Sequence, residues 1–307
     1  MKPSAVKEWL STAVDHPLEV PPLLLEGPPG IGKSAIFHQV TVEKGIQFLD
    51  IRLSQRDPTD LRGYPAIIDG KAITIPPAEL PREGRGLMLL DEITSAPPLI
   101  QASAYQLTLD RRIGEYKLPD GWYVAGAGNR IEDRAVVYRM STALANRFHH
   151  IILEPNLDDW VDWALGENLD SNVIAFMHWR GGDLLAPAYN AESSEHAFPT
   201  PRSWHFVSQI LQLSKKSSLP ELIEGTVGKG AAAEFLAFLK IQTELPDINT
   251  IFNGDNFVPK RVDLKYALIS ALVSHAAPKQ ADRLLRYSEN LSGEFSVLLV
   301  MMLTAKL

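Results

Sequence analysis

A glycine-rich segment near the start of the chain has the residue types and spacing of a phosphate-binding loop. It fits the pattern GxxxxGK[ST] and reads Gly27-Pro28-Pro29-Gly30-Ile31-Gly32-Lys33-Ser34. The glycines let the backbone curl so that successive N–H groups point at phosphate oxygens, and the helix expected next directs its positive end to the same place. Lys33 can reach the β- and γ-phosphates of a nucleotide, and Ser34 can ligate Mg²⁺. We therefore predict that this segment binds ATP together with Mg²⁺.

Two adjacent carboxylates, Asp91 and Glu92, follow the apolar run at residues 87–90. Such a run suits a buried parallel strand, and its carboxyl end lies where α/β sheets bind ligands. We predict that Asp91 is an outer ligand of Mg²⁺ and that Glu92 orients and activates the attacking water. An apolar run before Asp-Glu also occurs where an ordinary strand enters a capped helix, so the prediction depends on the glycine-rich loop upstream.

These motifs lie in a stretch where apolar runs alternate with helical patterns. Apolar runs predict strands at residues 23–25, 47–53, 86–90, 122–126 and 148–153, and helical spacing predicts helices between them. Strands separated by helices imply a parallel sheet. Two predicted hairpins interrupt this pattern. One lies at residues 66–77 and has the turn signal Asp69-Gly70, and the other lies at residues 111–121.

After Pro155 the sequence has helical spacing and few strand signals. We therefore predict an α/β nucleotide-binding core with a five-stranded parallel sheet and hairpin insertions over residues 1–155. An all-helical lid and C-terminal region is expected over residues 156–307. Four tryptophans on the predicted helices of this part are expected in its core: Trp160, Trp163, Trp179 and Trp204.

The composition excludes several classes of function. The chain of 307 residues has no cysteine, which excludes disulfides and thiolate metal sites, and its eight histidines show no metal-ligand spacing. The formal net charge of −7 argues against a surface that coats nucleic acid, although a local basic patch remains compatible with it. We see neither a signal peptide nor an apolar run long enough for a membrane span, and expect a cytoplasmic protein.

The stretch that follows the acidic pair resembles a known family. Residues 91–102 read DEITSAPPLIQA and are similar to the DEIN-x-AP-x-x-Q-x-A segment of MoxR-type AAA+ ATPases, with Thr94 in place of the usual Asn. The resemblance covers roughly residues 20–155, and residues 198–204 (FPTPRSW) are the clearest later match. The chain looks most like the members that accompany proteins with a von Willebrand A domain.

The resemblance implies roles for further residues. Asn129 matches the polar sensor that holds water near the γ-phosphate, and Arg147 matches the arginine finger that one subunit offers to its neighbour. Three nearby arginines are alternatives for the finger: Arg130, Arg134 and Arg139. Tyr64 and the first hairpin either line a central pore, contact a client, or simply pack.

Arg202 has an unusual position even without the resemblance. Thr200 is a good N-cap and Pro201 a good first helical residue, so Arg202 falls in the first turn, where a cation opposes the helix dipole. A residue placed against this preference points to an outside anion. In the resembling family that anion is the γ-phosphate, reached from the lid.

The leading interpretation is an oligomeric, expected hexameric, ATPase that couples hydrolysis to the remodelling or maturation of a partner, with a von Willebrand A domain protein as the expected partner. Two alternatives stay open. One is a motor or defence ATPase stimulated by nucleic acid, which the charge disfavours. The other is a small-molecule P-loop kinase, for which we find no acceptor pocket in the sequence.

Overall fold

The computed structural model describes residues 1–133, 137–187, 196–213 and 216–307. The chain divides into two compact units, Met1–Glu154 and Pro155–Leu307. The first unit contains strands and helices, and the second is built from helices. Each unit has its own apolar core, and the two are described separately below.

The first unit alternates strands and helices along the chain. Its elements are α1 (Pro3–Ala13), β1 (Leu23–Glu26), α2 (Lys33–Lys44), β2 (Gln47–Arg52), α3 (Pro58–Arg62), β3 (Tyr64–Ile68), β4 (Lys71–Ile75), β5 (Gly86–Asp91), α4 (Pro98–Asp110), β6 (Arg112–Ile113), β7 (Tyr116–Lys117), β8 (Trp122–Gly128), α5 (Thr142–Ala145) and β9 (His149–Ile152). Each of the five predicted core strands is present, with ends that differ by no more than two residues from the prediction.

The five core strands form one parallel sheet in the order β2-β5-β8-β1-β9. β1, β5 and β8 are continuous apolar runs because helices cover both faces of the sheet. One face packs Leu24, Met88 and Leu90 against α4. The other packs Leu23, Leu25, Leu87 and Leu89 against α1 and α2. In this register Glu26 lies opposite Gly128, and Leu90 lies opposite Gly126, so the carboxyl ends of three strands meet at one edge.

Both predicted hairpins are present as separate two-stranded sheets. β3 and β4 pair around Asp69 and Gly70, whose φ angles of 51° and 73° are those of a tight hairpin turn. The second hairpin, β6–β7, is shorter than the hairpin predicted at residues 111–121, and its turn contains Gly114. On the first hairpin Tyr64 is exposed, and its hydroxyl donates a 3.0 Å hydrogen bond to Asp60.

The described part of the second unit consists of helices joined by loops and short 3-10 turns. The helices are α6 (Leu157–Gly166), α7 (Ser171–Arg180), α8 (Pro201–Leu213), α9 (Leu219–Val227), α10 (Lys229–Ile241), α11 (Asn249–Phe252), α12 (Val262–His275), α13 (Ala281–Ser288) and α14 (Glu294–Lys306). Between α13 and α14 the chain leaves helical geometry over residues 289–293, where Gly293 has a φ angle of 49°.

Aromatic rings fill the centre of the second unit. The centroid of the Phe176 ring lies 5.0 Å from the ring centroid of Phe235 and 5.5 Å from that of Trp204. Trp160 and Trp204 are buried, and Trp163 and Trp179 are partly buried against the same core, as expected. None of the helices that the structure describes is long and apolar enough to cross a membrane. The predicted fold class, α/β with a five-stranded parallel sheet, hairpins and an all-helical second part, is confirmed.

Candidate active site

The glycine-rich loop connects β1 to α2 at the carboxyl edge of the sheet. Gly30 and Gly32 have φ angles of 79° and 97°, a region that side chains other than glycine seldom adopt. A Cβ atom at Gly27 would lie 2.7 Å from the Cδ1 of Ile31 and 3.0 Å from the carbonyl oxygen of Leu153. The loop therefore needs glycine at these positions for local reasons: backbone angles at two of them and a close contact at the third.

Lys33, the first residue of α2, turns its side chain back over the loop. Its ammonium donates hydrogen bonds of 2.6 Å and 2.9 Å to the carbonyl oxygens of Gly27 and Pro28. A third bond, of 2.9 Å, goes to the side-chain oxygen of Asn129 at the end of β8. A phosphate that approached the loop would meet a lysine already held at its rim, and would take over part of these hydrogen bonds.

Ser34 and Asp91 come from different elements and meet at the same edge. The Ser34 hydroxyl donates a 2.7 Å hydrogen bond to one carboxylate oxygen of Asp91, and the backbone N–H of Glu92 donates to the other at 2.8 Å. Oxygen atoms are the ligands that Mg²⁺ prefers, and the ion commonly takes only one or two from the protein and the rest from phosphates and water. The described residues contain no group of three or more acidic or histidine side chains arranged for a metal. The Ser34–Asp91 pair thus fits a Mg²⁺ ion that is shared with a nucleotide.

Glu92 is held in an uncommon backbone conformation directly after β5. Its φ angle is 56°, which is unfavourable for a residue other than glycine. The hydroxyl of Ser54, in the turn that follows β2, donates a hydrogen bond to its carboxylate. The side chain is half-buried. Ser54 therefore holds the carboxylate that we predict acts on the attacking water.

Asp50 is an acidic residue of this region that the sequence analysis missed. It lies in β2 opposite Leu89 of β5, and one of its carboxylate oxygens is buried without a hydrogen-bond partner among the residues that the structure describes. Burial, together with the negative charge of Asp91, raises the pKa of Asp50, and the guanidinium of Arg52 partly opposes this shift. The only available signal in the sequence is a single carboxylate inside an otherwise strand-like segment.

Arg147 lies away from the glycine-rich loop of the same chain. It precedes β9, which runs parallel to β1 with His149 opposite Leu23, so it sits before the amino edge of the sheet. Its guanidinium lies over the ring of Tyr105, 3.5 Å from the centroid, and donates a 2.7 Å hydrogen bond to the carbonyl of Ala143. The structure therefore does not bring Arg147 together with Lys33 and Glu92 within one subunit.

The alternative arginines differ in how firmly they are already paired. Arg130 donates to both carboxylate oxygens of Asp133, the shortest contact being 2.7 Å, and lies 3.1 Å from Glu132. These partners, Asp133 first, raise the pKa of Arg130 and occupy its guanidinium. Arg139 is exposed, and Arg134 lies outside the described residues.

Arg202 lies in the second unit, in the first turn of α8. As predicted, Thr200 caps the helix, because its hydroxyl accepts a 3.0 Å hydrogen bond from the backbone N–H of Ser203. The neighbouring Pro201 and Ser203 are buried, whereas Arg202 is exposed. The helix is thus held by the residues beside Arg202, which leaves the arginine side chain in solvent.

The two adjacent histidines of β9 serve separate contacts. The ring of His149 lies edge-on against Trp9 at 5.7 Å between centroids, and Nδ1 of His150 lies 3.1 Å from a carboxylate oxygen of Glu26. As the alternation of a strand predicts, they face different neighbours.

Comparison with known proteins gives structural likeness only. No family model matches the chain, and no curated protein matches it. Among solved structures, it is similar to the RuvB Holliday junction branch migration motor of Thermotoga maritima at 16% identity, over 88% of this chain and 80% of that one, with a TM-score of 0.43. It is also similar to Brucella abortus NtrX in complex with ADP at 13% identity, over 99% and 68%, with a TM-score of 0.44. A candidate ATPase of Cytophaga hutchinsonii matches at 12% identity, over 96% and 79%, with a TM-score of 0.42. Likenesses at this level carry no argument about function.

Proposed function

We propose that the protein is an AAA+ ATPase that binds Mg-ATP at residues 27–34 and hydrolyses it. The observation that carries the proposal is that the glycine-rich loop, the start of α2 and the carboxyl ends of β5 and β8 meet at one edge of the sheet. Lys33 of α2 reaches Asn129 at 2.9 Å, and Ser34 of α2 reaches Asp91 at 2.7 Å, beside a glycine loop. In support of the proposal, the arrangement places a glycine-rich loop and a lysine where they could receive phosphate, and two oxygen atoms where they could bind Mg²⁺.

Each side chain then has a separate task in the reaction. Lys33 neutralises charge on the β- and γ-phosphates, and Ser34 with Asp91 holds Mg²⁺, which when bound neutralises phosphate oxygens as charge develops on them. Glu92 accepts the proton of the attacking water, and Asn129 keeps that water in line. Phosphoryl transfer needs positioning and electrostatic stabilisation more than covalent help from the protein.

The reaction is tested by release of phosphate from ATP with purified protein and Mg²⁺. We expect turnover that stops on removal of Mg²⁺ and in the Lys33→Ala variant. The same assay is run with double-stranded DNA, RNA and small-molecule phosphate acceptors. Stimulation by nucleic acid would favour the motor alternative, and transfer of phosphate to an acceptor would favour a kinase. No turnover and no ATP binding by the wild-type protein would refute the proposal.

We further propose that activity requires an oligomer, a hexamer on the family resemblance, in which Arg147 serves the neighbouring subunit. This is supported by the position of Arg147 before the amino edge of the sheet, away from its own glycine loop. Arg202 is proposed to bring the second unit to the γ-phosphate.

The role in remodelling or maturing a partner protein, with a von Willebrand A domain protein as partner, rests on the family resemblance alone. It is tested with a Glu92→Gln variant, which should retain ATP and so hold its partner. Mass spectrometry of proteins that copurify only with ATP should find a protein with a von Willebrand A domain. If only nucleic acid or no protein is retained, the partner proposal fails. The cytoplasmic location expected from the sequence remains a prediction.

A further inference from the structure

Thr94 follows the acidic pair in the sequence and packs against the end of β8, which Asn129 follows directly. We propose that its hydroxyl is a positioning group that sets Asn129 for hydrolysis. This inference rests on the proposed function, because it requires Asn129 to act at the nucleotide. It assigns a task to the residue at which the chain departs from the DEIN pattern of the family that it resembles.

The contacts of Thr94 form a continuous path to the phosphate-binding loop. Thr94 is 5% exposed, and its Oγ1 accepts a 3.0 Å hydrogen bond from the backbone N–H of Asn129. The side-chain oxygen of Asn129 accepts the 2.9 Å hydrogen bond from Lys33. Thr94 therefore holds the backbone of a residue whose side chain already reaches into the candidate site.

Thr94 itself has little freedom to move. Its carbonyl oxygen accepts a 2.7 Å hydrogen bond from the backbone N–H of Tyr138, which fixes the turn that carries it. Its side chain lies flat against Gly128, where an added Cβ would stand 2.5 Å from Oγ1 and 2.7 Å from Cγ2 of Thr94. Gly128 lets the hydroxyl come close to the end of β8, and the hydroxyl in turn fixes where β8 delivers Asn129.

A hydrogen bond in this place could serve the fold alone or the reaction as well. Reaction geometry is the more sensitive of the two, because a small misplacement of a positioning group can cost about 100-fold in rate. If Thr94 only supported the fold, its loss would lower thermal stability without a selective effect on kcat. If it positions Asn129, kcat falls while the affinity for ATP stays near the wild-type value.

The experiment compares Thr94→Val with Thr94→Ser. Valine has nearly the same shape but cannot accept the hydrogen bond, whereas serine keeps the acceptor and loses only the methyl group. Thr108→Val is the matched control, since Thr108 is also buried in the first unit and its hydroxyl donates a 2.9 Å hydrogen bond to the carbonyl of Tyr105 in its own helix. Steady-state kcat, KM and the dissociation constant for ATP are measured at a temperature where all variants are folded.

We expect Thr94→Val to lower kcat by about 10- to 100-fold with little change in ATP affinity, and Thr94→Ser and Thr108→Val to stay close to wild type. Hydrogen exchange gives a second readout that does not depend on activity. The Asn129 amide should lose protection in Thr94→Val and keep it in Thr94→Ser.

Wild-type kcat in Thr94→Val, or equal losses in the valine and serine variants, would overturn the assignment while leaving the proposed ATPase intact. An unchanged rate of exchange at Asn129 would also overturn it. A wild-type protein that does not hydrolyse ATP would instead remove the proposed function, and this inference with it.

Discussion

The ammonium of Lys33 donates a 2.9 Å hydrogen bond to the side-chain oxygen of Asn129, and so joins the first turn of α2 to the end of β8. Two more of its hydrogen bonds end on carbonyl oxygens of the glycine loop. These three acceptors are neutral. A negatively charged phosphate is a stronger acceptor than any of them, because it adds the attraction between opposite charges to the hydrogen bond.

Lys33→Ala should therefore weaken ATP binding sharply. Loss of a hydrogen-bonded charge on phosphate costs about 1.5–3 kcal/mol, which is a factor of about 10 to 100 in the dissociation constant. The measurement is calorimetric titration with ATP and Mg²⁺. Lys7→Ala is the control, since Lys7 also contacts α2, through a surface pair with Glu43 at 2.6 Å, but stands away from the loop. Equal binding by both variants would remove Lys33 from the site.

Glu92→Gln should bind ATP and hydrolyse it slowly. Glutamine keeps the length of the side chain and an oxygen that can accept the hydrogen bond from Ser54, but it cannot take a proton from water. A general base contributes about 10²–10⁴-fold to the rate, so single-turnover hydrolysis should fall by that amount while ATP affinity is retained. Near-wild-type turnover would mean that another residue activates the water.

Local sequence signals were enough to locate the segments that make up the candidate site, and the roles assigned to their residues stay predictions. The glycine loop, Lys33 and Ser34 lie within one short segment, and the apolar run before Asp91 predicts a buried strand. The structure then brings these segments to one edge of a parallel sheet, as the alternation of strands and helices implies. What the sequence could not supply is the set of contacts that depends on strand register and turn geometry between distant segments.

Three residues show contacts that the sequence could not supply: Asp50, Ser54 and Thr94. Asp50 lies in β2 and Ser54 in the turn after it. Both lie close to the acidic pair because β2 pairs with β5 in a register that places Arg52 opposite Asp91. Thr94 reaches Asn129 only because Gly128 leaves room for it.

Asp50 predicts a pH dependence of stability. Burial and the charge of Asp91 raise its pKa in the folded protein above the unfolded value, so the folded state binds the proton more tightly. Between the two pKa values stability falls as pH rises, and above the folded pKa the charged carboxylate destabilises the fold by a constant amount. Asp50→Asn should therefore melt at a higher temperature than wild type at pH 8, with a gap that narrows as pH falls toward the ordinary pKa of an aspartate. A constant gap over this range would show that charge is not the cause.

Arg202→Ala should lower hydrolysis without harming the fold. A cation in the first turn opposes the helix dipole by about 0.3–1 kcal/mol, so the protein without nucleotide should be as stable as wild type or slightly more so. Arg286→Ala gives the contrast. Arg286 lies in the last turn of α13, where a cation is favourable, so its loss should slightly destabilise the protein and leave turnover unchanged. Wild-type turnover in Arg202→Ala would make Arg202 an ordinary surface residue.

The proposed requirement for an oligomer rests on the place of Arg147. β1 and β9 are parallel, with His149 opposite Leu23 and Ile152 opposite Glu26. The glycine loop follows the carboxyl end of β1, whereas Arg147 precedes the amino end of β9, so the two are separated by about 13 Å of strand at about 3.3 Å per residue. The stacking of Arg147 on Tyr105, 3.5 Å from the ring centroid, holds it there. If it stabilises charge at a nucleotide, that nucleotide belongs to another subunit.

We therefore expect specific activity to rise with protein concentration and Arg147→Ala to be inactive, since an arginine supplied by a neighbour is worth about 10³–10⁵ in rate in other NTPases. Mixing Arg147→Ala subunits with Lys33→Ala subunits should restore part of the activity. In a head-to-tail ring, a Lys33→Ala subunit can still offer its arginine to the intact loop of an Arg147→Ala neighbour. The control mixes Arg147→Ala subunits with subunits that carry both substitutions. This mixture contains intact loops but no Arg147, and should remain inactive. If turnover is independent of concentration and neither mixture recovers activity after subunit exchange has been confirmed, Arg147 does not act between subunits.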